Sequence, residues 1–463
     1  MKRQKHKSNK NKKSMIICFS IFMSIYLGGS AYFINHFHFG TKINGINVTG
    51  KTVKQADELI SSSISIYVLE LQGRDGKNEE IKGTNIALTY NPKDKITNLK
   101  DSQNPLSWIT SIFSNSHTKF DELVKFDETL LKEQINKLSY FDSKNIVKPK
   151  NAGFNYIDDA YEIEKEVMGN KIIKKNLYEN IKSSFLKGDT LLNLGDTNSY
   201  ENPKYITNSN EVLEAKKLLD KYTSMKITYT FGSKQETADG SIINKWLETD
   251  ENMNVVFNEK KMISYITSLA REYNTFGNAI DFLSSSGKTI QVNGGNYGWL
   301  IDKTKEVKDL IEIIKNGQDV TKEPAYSQTA VSHDKNDIGN TYLEIDMTKQ
   351  HVWFYKNGAL VTEGDVVTGN LNNNCETPVG VCRLNYKERK ATLKGKNYSA
   401  PVNFWLPFNG NIGLHDASWR DKFGGEIYKT SGSHGCVNAP YELANKIFDN
   451  IESGTPVVCY YEK

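Results

Sequence analysis

Twenty consecutive residues, Met15 to Ile34, carry no charged side chain, and residues 1–13 ahead of them carry seven basic side chains and no acid. No other feature restricts the chain as much. Hydrocarbon offers no partner to backbone N–H and C=O groups, so a segment this apolar crosses it only as a helix. At 1.5 Å per residue the run spans about 30 Å, the thickness of a bilayer's hydrocarbon core. The expected layout is a basic cytoplasmic tail at 1–13, a transmembrane anchor at 14–35, and everything later outside the cell membrane, because Lys and Arg are retained on the cytoplasmic side. A cleaved signal peptide is the alternative, since Gly29, Ser30 and Ala31 are small enough for a cleavage site. The run is longer than the ~7–15-residue core of such a signal, which favours the anchor.

A chain of 463 residues is too long for one ordinary domain, and 38% hydrophobic with 25% charged residues describes folded rather than disordered units. The net charge of +4 comes from the tail: the remainder holds 52 Lys and Arg against 55 Asp and Glu. No nucleic-acid surface is implied. Outside the apolar run only Cys375, Cys382, Cys436 and Cys459 remain, so this is not a disulfide scaffold. Cys459 sits in the strand-like "TPVVCYY", where a buried thiol is expected; Cys375 and Cys382 flank "ETPVGV", where a hairpin disulfide would require their Cα atoms within about 7 Å.

Between the anchor and residue 321 one pattern occurs twice. "FDETLLKEQINKL" (126–138) aligns with "FNEKKMISYITSL" (257–269), pairing Leu131 with Met262, Ile135 with Ile266 and Leu138 with Leu269 behind an Asp or Asn suited to cap a helix. "GNKIIKKNLYENIKSSFLKGD" (169–189) aligns with "GWLIDKTKEVKDLIEIIKNGQ" (298–318), pairing Ile181 with Leu310 and Gly188 with Gly317, each glycine placed to end a helix. Each copy opens with a further helix and strand, "VKQADELISS" with "ISIYVLELQG" and "NEVLEAKKLLDKY" with "MKITYTFG". Tandem α+β domains follow, at 40–195 and 205–321. The pattern of apolar positions resembles a peptidoglycan-binding domain found beside cell-wall enzymes, in two copies that either bind the wall or space another domain from the membrane. Trp108, Tyr156, Trp246, Tyr297 and Trp299 are expected in cores rather than stacked on sugars.

Residues 322–339 read as a linker, with His333 in solvent. From 340 to 463 the chain turns to β structure: alternating runs flank Asn357-Gly358, a hairpin signal, and further strands lie in "TPVGVCRLNYKE", "VNFWLPFNGNIGLHD" and "TPVVCYY". "YELANKIFDNIESG" (441–454) is the one clear helix. An antiparallel sheet or barrel is expected.

Chemistry concentrates in "SGSHGCVNAP" (431–440). A thiol attacks as thiolate and needs a basic neighbour. His434 is two residues from Cys436 and points to the opposite face of an extended chain unless the backbone turns there; His415, ending "NIGLHD", is the better general base. Gly435 permits a tight turn, and the amides of Gly435 and Cys436 are expected to converge on the oxygen of an attacked carbonyl. Asn438 braces that loop, donates to substrate, or caps the helix after Pro440. Asp416 should point away from His415, so a backbone carbonyl is expected to orient the imidazole.

His415, seventeen intervening residues and then Ser433-His434-Gly435-Cys436-Val437-Asn438 resemble the signature of the L,D-transpeptidase (YkuD-like) catalytic domain, as do "TPVG" (377–380) and "GLHDASWRDKFGG" (413–425). The resemblance implies that Cys436 is the nucleophile, His415 the base, and His434, Gly435 and Cys436 the oxyanion hole, without metal or other cofactor. It implies attack on the third residue of a peptidoglycan stem tetrapeptide, release of D-alanine, a thioester, and its capture by a neighbouring stem amine to give a 3→3 cross-link. Ser433, Asn438, Arg420 and Trp419 are the candidate substrate contacts, and carbapenem-type β-lactams the expected inhibitors. Water as acceptor would make an L,D-carboxypeptidase. Two further readings are a non-enzymatic wall-binding scaffold and a zinc hydrolase built on His415, His434 and Cys436.

Overall fold

The computed structural model describes residues 4–333, 336–395 and 398–462; Lys2 and Arg3 of the basic tail and Asp334 and Lys335 of the expected linker lie outside them. The chain divides into two compact units, Met1–Gly153 with Ile163–Val212, and Phe154–Glu162 with Leu213–Lys463.

The first unit begins with α1 (Gln4–Phe33), within which Lys12–Phe33 is long and apolar enough to cross a membrane. Next comes α2 (Val53–Ser65), whose N-terminus is closed reciprocally by Thr52 and Gln55. A hairpin of β1 (Val68–Gln72) and β2 (Asn78–Lys82) packs on α3 (Glu128–Asn136), capped by Asp127, and α4 (Lys174–Lys187). Gly188 stops α4 in the left-handed region at φ 73°, and β3 (Leu191–Asn193) then pairs parallel to β1. Leu131, Ile135 and Ile181, the apolar positions shared with the second copy, are fully buried.

The second unit repeats this order with α5 (Asn210–Thr223), β4 (Ile227–Phe231), β5 (Lys234–Ala238), α6 (Glu259–Tyr273) capped by Asn258, and a hairpin of β6 (Ile280–Leu283) and β7 (Thr289–Val292). After it come α7 (Lys303–Asn316), stopped by Gly317 at φ 71°, and β8 (Val320–Lys322), parallel to β4. Met262, Ile266 and Leu310 take the buried places of Leu131, Ile135 and Ile181. One core position differs. Where the first copy has Leu177, the second has Glu306, buried and accepting from the Tyr229 hydroxyl at 2.6 Å, with Lys322 on the same carboxylate. Trp246, Tyr297 and Trp299 are buried and Tyr156 packs against the core that holds Trp246; Trp108, in the first unit, stacks on Phe33.

The stretch expected to be a free linker is bound down. Tyr326–Gln328 pairs with Leu300–Ile301, and the His333 ring, expected in solvent, stacks on Trp299 at 3.7 Å. An aromatic partner more than thirty residues upstream is invisible to a local reading of a polar segment.

Residues 340–463 form two sheets rather than the expected antiparallel sheet or barrel. The first has the order β11-β10-β9-β17-β12, with β9 (Tyr342–Asp346), β10 (His351–Lys356), β11 (Ala359–Asp365), β12 (Gly380–Arg383) and β17 (Pro456–Tyr460). The second has the order β13-β14-β15-β16, with β13 (Glu388–Gly395), β14 (Tyr398–Asn409), β15 (Ile412–Asp416) and β16 (Val437–Ala439). Each contains one parallel pair, β9 with β17 and β15 with β16. Parallel pairing joins segments distant in sequence, which no turn signal announces. Asn357 (φ 52°) and Gly358 (φ 81°) make the expected tight hairpin. Between the sheets, Phe354, Leu406, Leu414, Val437 and Val457 pack with Leu443 and Ile447 of α9 (Tyr441–Asn450). α9 ends before the expected residue 454 because Ile451 turns extended to bury its side chain. The short α8 (Ile427–Ser431) leads into the Cys436 turn.

Candidate active site

Strand β15 carries His415 to the centre of the second sheet, where it lies opposite Trp405 of β14 and Asn438 of β16. The residue after it, Asp416, turns its carboxylate the other way, as alternation along a strand requires. That carboxylate accepts from the amides of Asn403 and Phe404 at 2.7 and 2.9 Å and from Asn403 Nδ2 at 2.8 Å, which staples β14 to β15. Only the main-chain oxygen of Asp416 meets the imidazole, accepting from His415 Nδ1–H at 2.9 Å.

The other ring nitrogen is fixed from the opposite side. Arg420 Nε–H donates to Asn438 Oδ1 at 2.8 Å, so the Asn438 amide must turn its Nδ2–H toward His415 Nε2, 3.1 Å away. Arg420 has no acceptor atom, and this decides the orientation of the amide. The two ends agree: His415 is neutral, protonated on Nδ1, with its lone pair on Nε2. Burial of the ring pushes its pKa below the ordinary 6.5, against the opposing pull of the Asp416 carbonyl.

The thiol sits on the turn that precedes β16. Gly435 has φ 111°, a conformation closed to other L residues, and a Cβ there would lie 3.2 Å from Ile412 Cδ1. Ser433 closes the turn, its hydroxyl donating to the Cys436 carbonyl and accepting from the Gly435 amide at 3.1 Å. Thr377, fully buried, accepts from the Gly369 amide at 3.0 Å and donates to the Gly435 carbonyl at 2.8 Å. Cys436 packs beneath the β13–β14 hairpin, against the cluster of Ala391, Leu393, Val402 and Trp405. That apolar cover pushes its thiol pKa above the ordinary 9.0, opposed by the Gly413 amide.

His415, Trp419, Arg420, Ser433, His434, Cys436 and Asn438 thus line one pocket of about 250 Å³, walled on its apolar side by Leu393 and Ala400. Gly435 lies in the turn behind it. Trp419 is half exposed, its ring 5.8 Å from that of His415, and His434 is exposed at the pocket rim. A larger cavity of about 430 Å³ in the first unit is lined by apolar residues such as Ile60, Ile64 and Phe185 and holds neither thiol nor imidazole.

One expectation needs correction. Asn438 neither braces the Cys436 turn nor caps α9, because His415 and Arg420 take both ends of its amide. Ser433 commits its hydroxyl proton to the turn and lines the pocket. The Gly435 amide donates to the Ser433 hydroxyl, and the glycine supplies the conformation of the turn. The "TPVG" pattern does not by itself reveal Thr377 as a positioning residue; a buried hydroxyl with one donor and one acceptor partner is the physical content of that motif. Cys375 and Cys382 are both free thiols. Among the described residues no three His, Cys, Asp or Glu side chains gather as a metal site.

The family model of the YkuD L,D-transpeptidase catalytic domain matches residues 340–459. A family model described as a peptidoglycan binding domain matches twice, at 82–191 and 206–322. No curated protein matches the chain. Among solved structures the chain is similar to the Ldtfm–avibactam carbamoyl enzyme, at 34% identity over 54% of this chain and 100% of that one, with a TM-score of 0.46. It is similar to a cysteine-to-serine mutant of Enterococcus faecium L,D-transpeptidase, at 33% identity, the same shares and a TM-score of 0.45. The catalytic domain of the E. faecium enzyme acylated by ertapenem is 41% identical over 26% of this chain and 98% of that one, with a TM-score of 0.25.

Proposed function

Because the chain belongs to the L,D-transpeptidase family with the YkuD catalytic domain, we propose that Cys436 and His415 are the residues with which it forms 3→3 cross-links between peptidoglycan stems. One observation carries the assignment: Cys436 shares a pocket with an imidazole whose tautomer is fixed from both sides, leaving the lone pair on Nε2.

In the first half-reaction the thiol proton passes to His415 Nε2 as Sγ attacks the carbonyl carbon of the third stem residue. The Asn438 N–H yields that lone pair as the proton arrives. Developing charge on the carbonyl oxygen is met by the Cys436 amide. Collapse breaks the bond to the terminal D-alanine, whose amine takes the proton from the imidazolium, and the stem remains as a thioester. In the second half-reaction His415 removes a proton from the acceptor's side-chain amine, the amine attacks, and Cys436 leaves as thiolate and regains its proton. No metal or other cofactor is required by these steps. Trp419 and the free end of the Arg420 guanidinium border the donor's path and suit an apolar stem bearing carboxylates.

The same thiol is the site at which carbapenem-type β-lactams would acylate the protein. α1 serves as the membrane anchor, with 1–13 in the cytoplasm and the catalytic domain at 340–463 facing the cell wall; the copies at 40–195 and 205–321 engage or approach the wall between them.

The test is mass spectrometry of the protein with a purified disaccharide tetrapeptide, beside Cys436→Ala. A dimer lacking one D-alanine, absent from the control, is expected. Tripeptide alone would make the enzyme a carboxypeptidase, and product in the control would remove Cys436 from the mechanism.

A further inference from the structure

Residues 102–118 contain no Asp, Glu, Lys or Arg, in a chain of which a quarter is charged. Their centre folds into two short helical turns, Pro105–Ser107 and Trp108–Ser111. The apolar side chains there do not pack inward. Phe113 is 87% exposed, Leu106 55%, Ile112 51% and Ile109 41%. For a soluble surface this is an unfavourable patch.

The patch is continuous with α1. Tyr26 Oη–H donates to the Leu106 carbonyl at 2.9 Å, and Trp108 Nε1–H donates to the Tyr26 carbonyl at 3.2 Å. The Trp108 ring lies against Gly29, where a Cβ would sit 2.5 Å from it, and stacks on Phe33 at 5.7 Å. Tyr26 is seven residues before Phe33, so the segment runs about 10 Å down the side of the helix's final turns. If α1 spans the bilayer, that depth lies inside the outer leaflet.

The polar atoms of the segment are arranged for such a medium. The hydroxyls of Ser107, Thr110 and Ser111 each donate to a main-chain carbonyl three residues back, at 2.6–2.8 Å. Ser24 and Ser30 of α1 do the same four residues back, both at 2.8 Å. A hydroxyl bonded to its own backbone carries no unpaired donor into hydrocarbon.

We propose that residues 104–114 form a second membrane contact, a wedge inserted into the outer leaflet beside α1, whose partner is the lipid itself. Trp108 takes the interfacial place that indole rings favour, and Ile109, Ile112 and Phe113 face the acyl chains. The wedge seats the first copy on the membrane instead of leaving it to pivot on a single helix. This rests on the reading of α1 as a membrane anchor.

The test reconstitutes the full chain in vesicles of phosphatidylethanolamine and phosphatidylglycerol doped with a phospholipid bearing a diazirine on one acyl chain, followed by irradiation and peptide mapping. Adducts are expected on 104–114 as well as on α1. In an Ile109→Asp, Phe113→Asp double variant, whose altered side chains are exposed and far in sequence from the active-site residues, adducts on this segment should fall about tenfold or more, since buried carboxylates are expelled from hydrocarbon. Those on α1, and transpeptidation of the tetrapeptide, should persist. Labelling of α1 without 104–114, or undiminished labelling of the variant's segment, would overturn the wedge. Absence of label from α1 would overturn the anchor and the wedge with it.

Discussion

Replacing Asn438 by aspartate exchanges one NH2 group for an oxygen and reverses the electrostatics around the proposed base. In the parent, Nδ2–H donates to His415 Nε2 at 3.1 Å and holds the ring neutral. An aspartate still accepts from Arg420 Nε–H, but it presents a second oxygen to Nε2, and two lone pairs face each other until the ring takes a proton. An opposite charge at this range typically raises a histidine by about 1–3 pKa units. The Arg420 guanidinium, already on the same side chain, offsets part of that, and about 1–2 units is the expected shift. The sign follows from the parent. Burial depresses the folded His415 pKa below 6.5, so the base is neutral through the neutral range and acylation falls only on the acid side of 6.5. The same depression means that the unfolded chain binds this proton first as pH falls, so His415 withdraws stability below 6.5 and costs none above it. In Asn438→Asp the acid limb of acylation moves up by about 1–2 pH units, lowering the rate about 10- to 100-fold on that limb and sparing it at alkaline pH. The assay is the rate of Cys436 acylation by a carbapenem, read as intact-protein mass across pH, beside Asn438→Ala. A limb that coincides with the parent's, or a loss equal at every pH, would refute the fixed-tautomer argument and leave Asn438 a packing residue.

Thr377→Val removes the hydroxyl between the Gly369 amide and the Gly435 carbonyl and leaves both buried groups unpaired. We expect a loss of about 1–3 kcal/mol in thermal or denaturant unfolding and slower acylation, both restored by Thr377→Ser. Gly435→Ala forces a Cβ into a φ of 111° and toward Ile412; about 1–3 kcal/mol of strain should appear as slowed acylation with the fold retained by circular dichroism. Glu306→Leu deprives Lys322 and the Tyr229 hydroxyl of their shared carboxylate. Breaking that buried pair should destabilise the second copy by about 3–5 kcal/mol in denaturant titration, without touching the acylation chemistry at Cys436.

The parts of this molecule that could be read from sequence are those determined locally. Asp127 and Asn258 cap helices because a carboxylate or amide oxygen reaches the next free amides, and Gly188 and Gly317 end them because only glycine enters the left-handed region freely. Leu131 with Met262 and Ile135 with Ile266 were legible because burial repeats with the helix period. Long-range pairing was not. The five residues of β17 are all buried, which marks a strand covered on both faces, yet nothing in them names β9 as the parallel neighbour. His333 failed for the same reason, its partner Trp299 lying in another element. At the site, a thiol, an imidazole and a turn-forming glycine were legible by residue type and order. The use of Asn438 was not, because its choice between cap, brace and bridge depends on where β15 and Arg420 fall in space.

The burial around Cys436 poses an apparent conflict, and its resolution bears on which acceptor completes the reaction. Burial raises the pKa of the Cys436 thiol, which packs against Val402 and Trp405, and burial of the imidazole lowers that of His415, so both changes oppose a resting thiolate–imidazolium pair. In the proposed mechanism the nucleophile is therefore made only as the proton moves, when the acyl donor is in place to use it. The gain comes one step later. A thioester in the pocket of about 250 Å³ would lie beside the apolar Leu393 and Ala400, and an acceptor amine delivered by a bound stem would meet it at high effective concentration. That amine comes protonated at neutral pH and reacts only once deprotonated. In the proposed mechanism His415 is again neutral by then, its proton having left with D-alanine, and its lowered pKa favours that state. If the apolar side of the pocket keeps water from the proposed thioester, opening the hairpin with Leu393→Gly should shift product from dimer toward tripeptide before it abolishes acylation.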